Sequence, residues 1–359
     1  MKRVLFAVPS LSLGGAEKVV TRLSSGLVKK GYEVGIVIFY RCDKEYSIDD
    51  RVKIMNISNG TVDDYKKLSK SQRLRKIRKY VKEFKPDCIF PFLNHVCIYL
   101  FIACLFTKYR RRITFTENNN PKYAERESFR KKYFLQNFVK NIVAQNSGEK
   151  SFLSKYQQKK TYIIANPIDD IYINFEKKLE KTPKHIISIG RLHEQKNYPL
   201  AIEVFSRVLK KYPDMQYHIF GQGKDKERLE KLIESYGLQG KVILEGFSIN
   251  IENTYKNADI YLMSSNYEGL PNALAETLAA GIPCVSTDCE YGPNDLIENE
   301  RMGILAKVDN VNSLTNAILK MIKNYSYYSQ NTKYTKNVMK TKYSIEKITE
   351  EWIKIIELD

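Results

Sequence analysis

The chain has few of the patterns that build metal and disulfide sites. Its six cysteines include no C-x-x-C pair and mostly stand in apolar surroundings. Such usage is typical of a reducing cytoplasm and argues against a zinc or disulfide framework. No Asp-x-Asp cluster stands in a setting that would bind a divalent cation. The sequence therefore predicts a cytoplasmic protein without a resident metal.

Long hydrophobic runs are also scarce. The N-terminus, MKRVLFAVPSLSLGG, has a short apolar run without a convincing cleavage site, which predicts a first buried strand rather than a signal peptide. Residues 88–107 approach the length of a membrane span and precede a basic segment. Because Pro91, Asn94 and His95 interrupt this run, it favours a short strand followed by a buried helix of about 12 residues.

Acidic residues are sparse in the first half of the chain. Residues 1–170 contain 34 Lys and Arg but only 16 Asp and Glu, whereas residues 171–359 contain 25 of each. The entire net charge of +18 thus lies in the first half. This asymmetry indicates an anionic partner for that half, either a membrane surface or a nucleic acid.

Size and pattern favour two α/β domains. At 359 residues, with 43% hydrophobic and 28% charged residues, the chain has the composition of a soluble globular protein large enough for two domains. Apolar runs alternate with helical segments in both halves, which predicts two parallel sheets covered by helices, joined near Asn166-Pro167. The predicted strands are Val4–Val8, Glu33–Phe39, Cys88–Phe92, Ile113–Thr116, Asn141–Ala144, His185–Gly190, Gln216–Gly221, Lys241–Glu245, Ile260–Ser264 and Pro283–Thr287.

Residues 66–85 predict an amphipathic helix with a dense basic face. Its apolar positions, which fall close to one helical stripe, are Leu68, Leu74, Ile77, Val81 and Phe84. Two interpretations fit this pattern equally. The helix packs on the sheet with its charges in water, or it lies against anionic lipid head groups.

The segment 264–281 predicts an anion site flanked by two carboxylates. After an irregular turn, Ala273–Ala280 is a run of strong helix formers, with Pro271 suited to the first helical turn. Free N–H groups and the helix dipole at this start favour a phosphate. Glu268 lies on the loop and Glu276 one turn into the helix, so they flank the phosphate and suit a ligand rich in hydroxyls.

Other candidate residues follow predicted strands. Arg191 and Lys196 come after His185–Gly190, at the carboxyl end of the sheet, where a cationic pair would neutralise a diphosphate. Gly14 and Gly15 open the first helix, and Gly221 and Gly223 follow another strand. These glycines permit a close approach of the backbone to a nucleotide, or they simply form turns.

Taken in order, these motifs make the chain resemble the retaining glycosyltransferases of family 4, which have the GT-B architecture. The resemblance covers nearly the whole chain. It implies an α/β fold of two Rossmann-like domains whose parallel sheets face a central cleft. The motifs that carry it are Gly14-Gly15-Ala16-Glu17, Ile189-Gly190-Arg191, Lys196-Asn197, Phe220-Gly221-Gln222-Gly223, the Glu268–Glu276 segment, and a C-terminal helix ending in Trp352.

The resemblance implies an organisation and a set of roles. Residues 1–167 would form the acceptor domain, residues 168–340 the donor domain, and residues 341–359 a helix that crosses back to the first domain. Arg191, Lys196 and Glu268 would be catalytic, with Glu268 contacting the transferred sugar. The remaining donor contacts would come from Glu276, on the ribose hydroxyls, and from the backbone around Gly269, Leu270, Pro271 and Asn272.

The sequence departs from the family at one position. Many relatives have a histidine after the strand that corresponds to Ile113–Thr116, where it contacts the donor. Here the residues are Glu117 and Asn118, which are candidates for sugar or acceptor binding or caps of the strand. His95 is a further candidate, although a lone histidine is more often structural.

The resemblance implies sugar transfer from a nucleotide-sugar, with retention of anomeric configuration and no required metal or other cofactor. We expect UDP as the nucleotide and a polyprenyl-diphosphate-linked saccharide as the acceptor, in the synthesis of capsule, O-antigen or a related surface polymer. The basic half would place the enzyme peripherally on the inner face of the cell membrane. The alternatives are a sugar-nucleotide epimerase of the same architecture and a basic nucleic-acid-binding protein, for which no recognised motif is present.

Overall fold

The computed structural model describes residues 1–117, 126–177, 181–248, 250 and 254–358. These residues form two compact units. The first unit consists of residues 1–167 and the C-terminal segment that begins at Ile345, and the second unit extends from Ile168 to Ser344.

The first unit is built on parallel strands in the order β3-β2-β1-β4, followed by β5-β6-β7. A single parallel bridge between Ile89 and Ile113 joins the two ladders. The strands are β1 Arg3–Val8, β2 Glu33–Ile38, β3 Lys53–Asn56, β4 Cys88–Pro91, β5 Thr114–Thr116, β6 Asn141–Ala144 and β7 Thr161–Ile163. The α-helices are Gly15–Lys29, Val62–Lys67, Lys70–Phe84, Asn94–Cys104, Arg126–Leu135, Ser147–Ser151, Lys155–Lys159 and Ile345–Glu357.

The second unit contains a parallel sheet in the order β10-β9-β8-β11-β12-β13. Its strands are β8 His185–Ile189, β9 Gln216–Phe220, β10 Val242–Gly246, β11 Ile260–Met263, β12 Cys284–Thr287 and β13 Gly303–Ala306. Its α-helices are Asp170–Ile173, Tyr198–Leu209, Lys226–Ser235, Asn272–Ala279, Pro293–Leu296, Val311–Lys323 and Tyr325–Tyr343. Both units therefore have the doubly wound order in which the third, second and first strands precede the fourth.

The structure confirms the predicted α/β class and all ten predicted strands, with ends that differ by one residue at most. Three strands, β3, β7 and β13, were missed, and each lies at a sheet edge. In β3 no residue is fully buried, and in β7 only the first is. β3 and β7 therefore lack the continuous apolar run of a strand covered on both faces, and their sequence signal is weak. β13, of sequence GILA, is largely buried, and its short apolar run was overlooked.

The amphipathic segment forms two helices rather than one. The chain breaks after Lys67, and Ser69 caps the second helix by accepting a hydrogen bond from the Gln72 amide. Ile77, Val81 and Phe84 are buried in the core of the first unit. The apolar stripe thus packs against the sheet and cannot insert into lipid, while the basic face remains on the surface.

The apolar segment 88–107 forms a strand and a helix, as its polar interruptions predicted. β4 ends at Pro91, and the helix Asn94–Cys104 packs with Val96, Leu100 and Cys104 in the core. Among the helices of the described residues, none has both the length and the apolar character needed to cross a membrane.

The C-terminal helix continues past Trp352, where the sequence predicted its end, and packs in the first unit. The Trp352 ring is 3% exposed and lies 5.0 Å from the Phe90 ring and 6.2 Å from the Phe6 ring. We expect Trp352→Ala to destabilise the first unit by about 3–5 kcal/mol, because it leaves a large apolar cavity. Urea unfolding followed by circular dichroism measures this loss. The surface variant Lys354→Ala is the control and should unfold like the parent protein.

Candidate functional site

The sheet of the second unit reverses its strand order between β8 and β11. From β8 the chain continues to β9 and β10 on one side, and from β11 it continues to β12 and β13 on the other. In open α/β sheets, ligands bind outside the carboxyl ends of the strands at such a reversal. Here two loops begin side by side, one at Gly190 and one at Ser264.

These two loops bring Lys196 and Glu268 together. The Lys196 ammonium lies 2.6 Å from a Glu268 carboxylate oxygen, and both side chains are largely buried, with 16% and 8% exposed. The same oxygen accepts a hydrogen bond from the Ser265 hydroxyl at 2.7 Å. The Gln195 amide donates to the other oxygen at 3.4 Å. Glu268 is therefore held by an ammonium, a hydroxyl and an amide.

Asparagine and serine side chains hold the two loops against each other. Asn197 adopts a left-handed conformation and caps the helix Tyr198–Leu209. Its amide donates to the Asn266 side chain at 2.9 Å. The Ser264 hydroxyl donates to the Lys196 carbonyl at 2.7 Å. These hydrogen bonds fix the backbone on both sides of the Lys196–Glu268 pair, so the two charges are preorganised.

Gly190 provides the space that Lys196 occupies. A Cβ atom at Gly190 would lie 2.8 Å from the Lys196 Cε and 3.1 Å from the Tyr198 hydroxyl. That hydroxyl donates to the Gly190 carbonyl at 3.1 Å. Burial raises the pKa of Tyr198 well above its usual value, and Tyr217 and Glu268 add to this, so the phenol stays neutral. Arg191, the next residue, is exposed at the same strand end.

The glycines after β9 have a packing role in this structure. A Cβ at Gly221 would overlap the Gly190 carbonyl oxygen, and one at Gly223 would overlap the backbone of Leu192. The Leu192 amide donates to the Gln222 carbonyl at 2.9 Å. These glycines therefore let the loop after β9 lie directly on the loop that presents Arg191 and Lys196.

Glu276 lies one turn into the helix Asn272–Ala279 and is half-buried. Pro271 occupies the N-cap rather than the first helical turn, so the prediction was wrong by one position. The reason is its extended ψ of 95°, which keeps this residue outside the helix. Gly269 and Leu270 form the turn between Glu268 and this cap.

Sequence reasoning missed the loop after β12, as well as Gln195 and Ser265. A Cβ at Gly292 would lie 2.5 Å from the Pro271 Cδ, so this loop packs on the turn before the helix. Burial raises the pKa of the Cys289 thiol to about 12. The Glu268 carboxylate adds to this increase and the Lys196 ammonium opposes it. The Gly292-Pro293 dipeptide is the sequence signal that could have indicated this loop.

The first unit places its candidate residues at the corresponding edge of its own sheet. Gly14 follows β1 and is the N-cap of the helix Gly15–Lys29. His95 lies in the first turn of the helix that follows β4, not at the strand end as predicted, and is exposed. β1 and β4 flank the strand-order reversal of this sheet, so both residues lie at its ligand-binding edge.

Glu117 is buried in an ion pair. Its carboxylate lies 2.8 Å from the Lys132 ammonium, with 3% and 1% of the side chains exposed, and it accepts a hydrogen bond from Gln136. Burial by itself would lower the pKa of Lys132, but the neighbouring Glu117 carboxylate raises this pKa. Glu117 also lines a small cavity with Gln145 and Asn166. Asn118, the other candidate, lies outside the described residues.

Two family models match consecutive parts of the chain. The model described as "Glycosyltransferase Family 4" matches residues 13–171, and the model described as "Glycosyl transferases group 1" matches residues 170–338. The chain belongs to glycosyltransferase family 4. Within the described part of this glycosyltransferase, no three His, Cys, Asp or Glu side chains cluster as they would around a metal ion.

The glycosyltransferase is similar along its whole length to bacterial relatives. It is 26% identical over 99% of the chain, and 98% of the relative, to the Campylobacter jejuni GalNAc-alpha-(1->4)-GalNAc-alpha-(1->3)-diNAcBac-PP-undecaprenol alpha-1,4-N-acetyl-D-galactosaminyltransferase. It is 29% identical, over 90% of both chains, to the N-acetylgalactosamine-N,N'-diacetylbacillosaminyl-diphospho-undecaprenol 4-alpha-N-acetylgalactosaminyltransferase of the same organism.

Solved structures share the fold at low sequence identity. The structure of Staphylococcus aureus TarM in complex with UDP, alpha-GlcNAc-glycerol and fondaparinux aligns with a TM-score of 0.82 at 16% identity, covering 99% of this chain and all of that chain. The structure of Anabaena HepE in complex with UDP-glucose aligns with a TM-score of 0.82 at 15% identity, covering all of both chains. The fold is therefore GT-B.

Proposed function

We propose that this glycosyltransferase moves a sugar from a UDP-sugar, with retention of anomeric configuration, to a polyprenyl-diphosphate-linked saccharide. The reaction would serve the synthesis of a surface polysaccharide or glycoconjugate, such as capsule or lipopolysaccharide. The observation that carries the proposal is the buried Lys196–Glu268 pair at the strand reversal of the second unit. A cation and a carboxylate fixed at this position suit a ligand that presents a diphosphate beside sugar hydroxyls.

Each side chain of the pair has a distinct task. Lys196, assisted by the exposed Arg191, neutralises the diphosphate and stabilises the negative charge that grows on the leaving UDP. Glu268 holds the ammonium in place and accepts hydrogen bonds from hydroxyls of the transferred sugar. Because Ser265 and Gln195 also donate to Glu268, the carboxylate keeps its position when Lys196 turns toward a phosphate.

The rest of the donor is bound around the helix Asn272–Ala279. The backbone amides of Gly269, Leu270 and Asn272 lie at the start of this helix, where its dipole favours the phosphates. Glu276, one turn further on, accepts hydrogen bonds from the ribose hydroxyls. We infer that Arg191 and Lys196 supply the electrostatic stabilisation that a divalent cation supplies in other transferases, so that the enzyme needs no metal.

The acceptor belongs to the first unit. Residues 1–167, which form almost all of it, contain 34 Lys and Arg against 14 Asp and Glu. A lipid-linked diphosphate in a membrane of anionic lipids matches this charge. Two relatives that align along nearly the whole chain are named for undecaprenol-linked acceptors. The enzyme would then lie peripherally on the inner face of the cell membrane, with Gly14, Gly15 and His95 at the edge that meets the substrates.

A donor screen tests the proposal. We expect UDP release when the purified enzyme is given a UDP-sugar and a membrane extract, no release with GDP-sugars, and full turnover in EDTA. NMR of the isolated product should show the same anomeric configuration as the donor. Lys196→Ala is the negative control. An inverted product, or turnover that EDTA abolishes, would contradict the mechanism, and sugar-nucleotide interconversion without an acceptor would identify an epimerase instead.

A further inference from the structure

The first unit exposes aromatic side chains beside a basic turn. Phe106 is 96% exposed, Phe134 is 62% exposed and Phe138 is 50% exposed. The turn Lys108–Arg112, of sequence KYRRR, follows Phe106 directly. We call these three phenylalanines and this turn the aromatic-basic patch. Large apolar side chains exposed together indicate a surface that another partner covers.

Hydrogen bonds and ring contacts join the parts of the patch. The Arg110 guanidinium donates to the Phe138 carbonyl at 3.3 Å. The Phe134 and Phe138 rings lie 5.3 Å apart in an edge-to-face arrangement. The helices Asn94–Cys104 and Arg126–Leu135, which end at the patch, pack against each other. The three phenylalanines thus belong to one region of the surface.

Phe106 lies in the turn that ends the helix Asn94–Cys104, which the Thr107 backbone amide closes by donating to the Cys104 carbonyl at 3.0 Å. Its φ of 63° lies in the left-handed region, which is unfavourable for an aromatic residue. Its ring is almost fully in water, so it adds nothing to the core. The turn requires the left-handed backbone but not an aromatic ring, and the exposed ring therefore adds to the apolar surface of the patch.

The excess of positive charge around the patch indicates which kind of partner binds there. Residues 102–116 and 128–148 contain eight Lys and Arg and no Asp or Glu, and seven of the eight reach the surface, because Lys132 is buried in its ion pair with Glu117. Two of the seven, Arg112 and Lys131, pair with Asp87 and Glu127. Aromatic rings and cations together suit the head-group region of an anionic bilayer. We propose that the aromatic-basic patch docks the enzyme on an anionic membrane, with Phe106, Phe134 and Phe138 inserted among the head groups.

This placement deepens the acceptor part of the proposed function. The helix Asn94–Cys104 begins beyond the carboxyl end of β4 and runs back, so the turn Lys108–Arg112 lies near the amino end of β5. The patch is therefore at the opposite edge of the sheet from Gly14 and His95. Substitutions in the patch leave the predicted substrate edge intact, and a bilayer on the patch leaves that edge open to the saccharide.

Vesicle flotation tests the docking. We expect the enzyme to bind vesicles of phosphatidylcholine with phosphatidylglycerol at low salt, and to bind pure phosphatidylcholine vesicles much more weakly. Phe106→Ser and Phe134→Ser should each weaken binding by roughly ten-fold, since each removes an aromatic ring that the bilayer would cover in the bound state. The control is Phe247→Ser, which removes an exposed phenylalanine, 45% exposed, from the second unit, whose 23 Lys and Arg are nearly balanced by 22 Asp and Glu.

A fluorescence measurement locates the insertion. The chain has one tryptophan, the buried Trp352, so Phe106→Trp adds a single surface indole. Brominated lipids should quench the added indole and leave the emission of Trp352 unchanged. Unquenched emission, or a Phe106→Ser/Phe134→Ser variant that binds vesicles like the parent protein, would overturn the proposal. Loss of self-association in that variant without loss of vesicle binding would assign the patch to a second copy. Because the vesicles contain neither donor nor acceptor, failure here would leave the sugar-transfer proposal untouched.

Discussion

Replacing Lys196 by alanine is expected to lower kcat/KM for sugar transfer by roughly 100- to 1,000-fold. This is the usual effect of removing one preorganised group that stabilises charge in a transition state. The substitution also leaves the Glu268 carboxylate, 8% exposed, without its ammonium partner. A lone carboxylate in that position repels the donor diphosphate, so we expect KM for the donor to rise as kcat falls. UDP release at varied donor concentration separates the two effects.

Double substitution distinguishes positioning from charge stabilisation. Adding Glu268→Gln to Lys196→Ala removes the repelling carboxylate, so donor KM should recover in part while kcat stays low. If Lys196 only supports the fold, the double variant should instead either restore both kcat and donor KM or change neither of them. Wild-type turnover by Lys196→Ala would refute the site assignment.

The chain offers a matched control for this experiment. Lys177 pairs with Asp259 at 3.3 Å in the same unit, and the two side chains are 10% and 3% exposed. Asp259 precedes β11 and therefore lies at the amino edge of the sheet, whereas Glu268 follows the carboxyl end. Lys177→Ala should lower the melting temperature as much as Lys196→Ala does, yet retain sugar transfer at temperatures where the protein is folded.

Replacing Gly221 by alanine is expected to destabilise the second unit by about 3 kcal/mol or more. The added Cβ would overlap the Gly190 carbonyl oxygen, which is backbone and cannot rotate away. The overlap is removed only if the ends of β8 and β9 move apart. This movement breaks the hydrogen bond from the Gly190 amide to the Phe220 carbonyl. Such a loss corresponds to a fall of roughly 10 °C in the melting temperature of a unit of this size.

Gly240→Ala is the control for Gly221→Ala. Gly240 has a φ of 73° and open space around a built Cβ, so its substitution carries only the cost of left-handed backbone, about 1–2 kcal/mol. Donor binding adds a second readout. Because the loop after β8 presents Lys196, the Gly221→Ala protein should lose affinity for UDP even where it remains folded. Calorimetry of both variants with and without UDP measures the two effects, and equal melting temperatures would contradict the predicted overlap.

Much of the fold could be predicted from local pattern. Strands β1 and β11 are apolar over nearly their whole length, and such runs identify strands covered on both faces of a parallel sheet. β3 and β7 could not be recognised, because an edge strand with exposed residues resembles a loop. The break at Ser69 was visible in principle, since a serine followed by Gln72 forms a capping box.

The candidate site also combines features that the local sequence predicts with features that it does not. The sequence marked Lys196 and Glu268 separately, each after a buried strand, because residue types and strand ends are local properties. Their separation of 2.6 Å depends on the neighbouring positions of β8 and β11 in the sheet, although about 70 residues of chain lie between them. Gln195 and Ser265 were missed because their importance lies only in holding Glu268. Glu117 was noticed for its position, but only packing showed that Lys132 neutralises it inside the core.

The sequence by itself determined the α/β class, the family, the concentration of positive charge in the first half and the residue types of the proposed donor site. These follow from composition and short-range periodicity, which do not require knowledge of neighbours in space. The tertiary structure decided which charged side chains pair, which apolar stripe is buried in the core and which aromatic residues remain in water. Those outcomes depend on strand order and helix packing, and therefore on contacts between residues far apart along the chain.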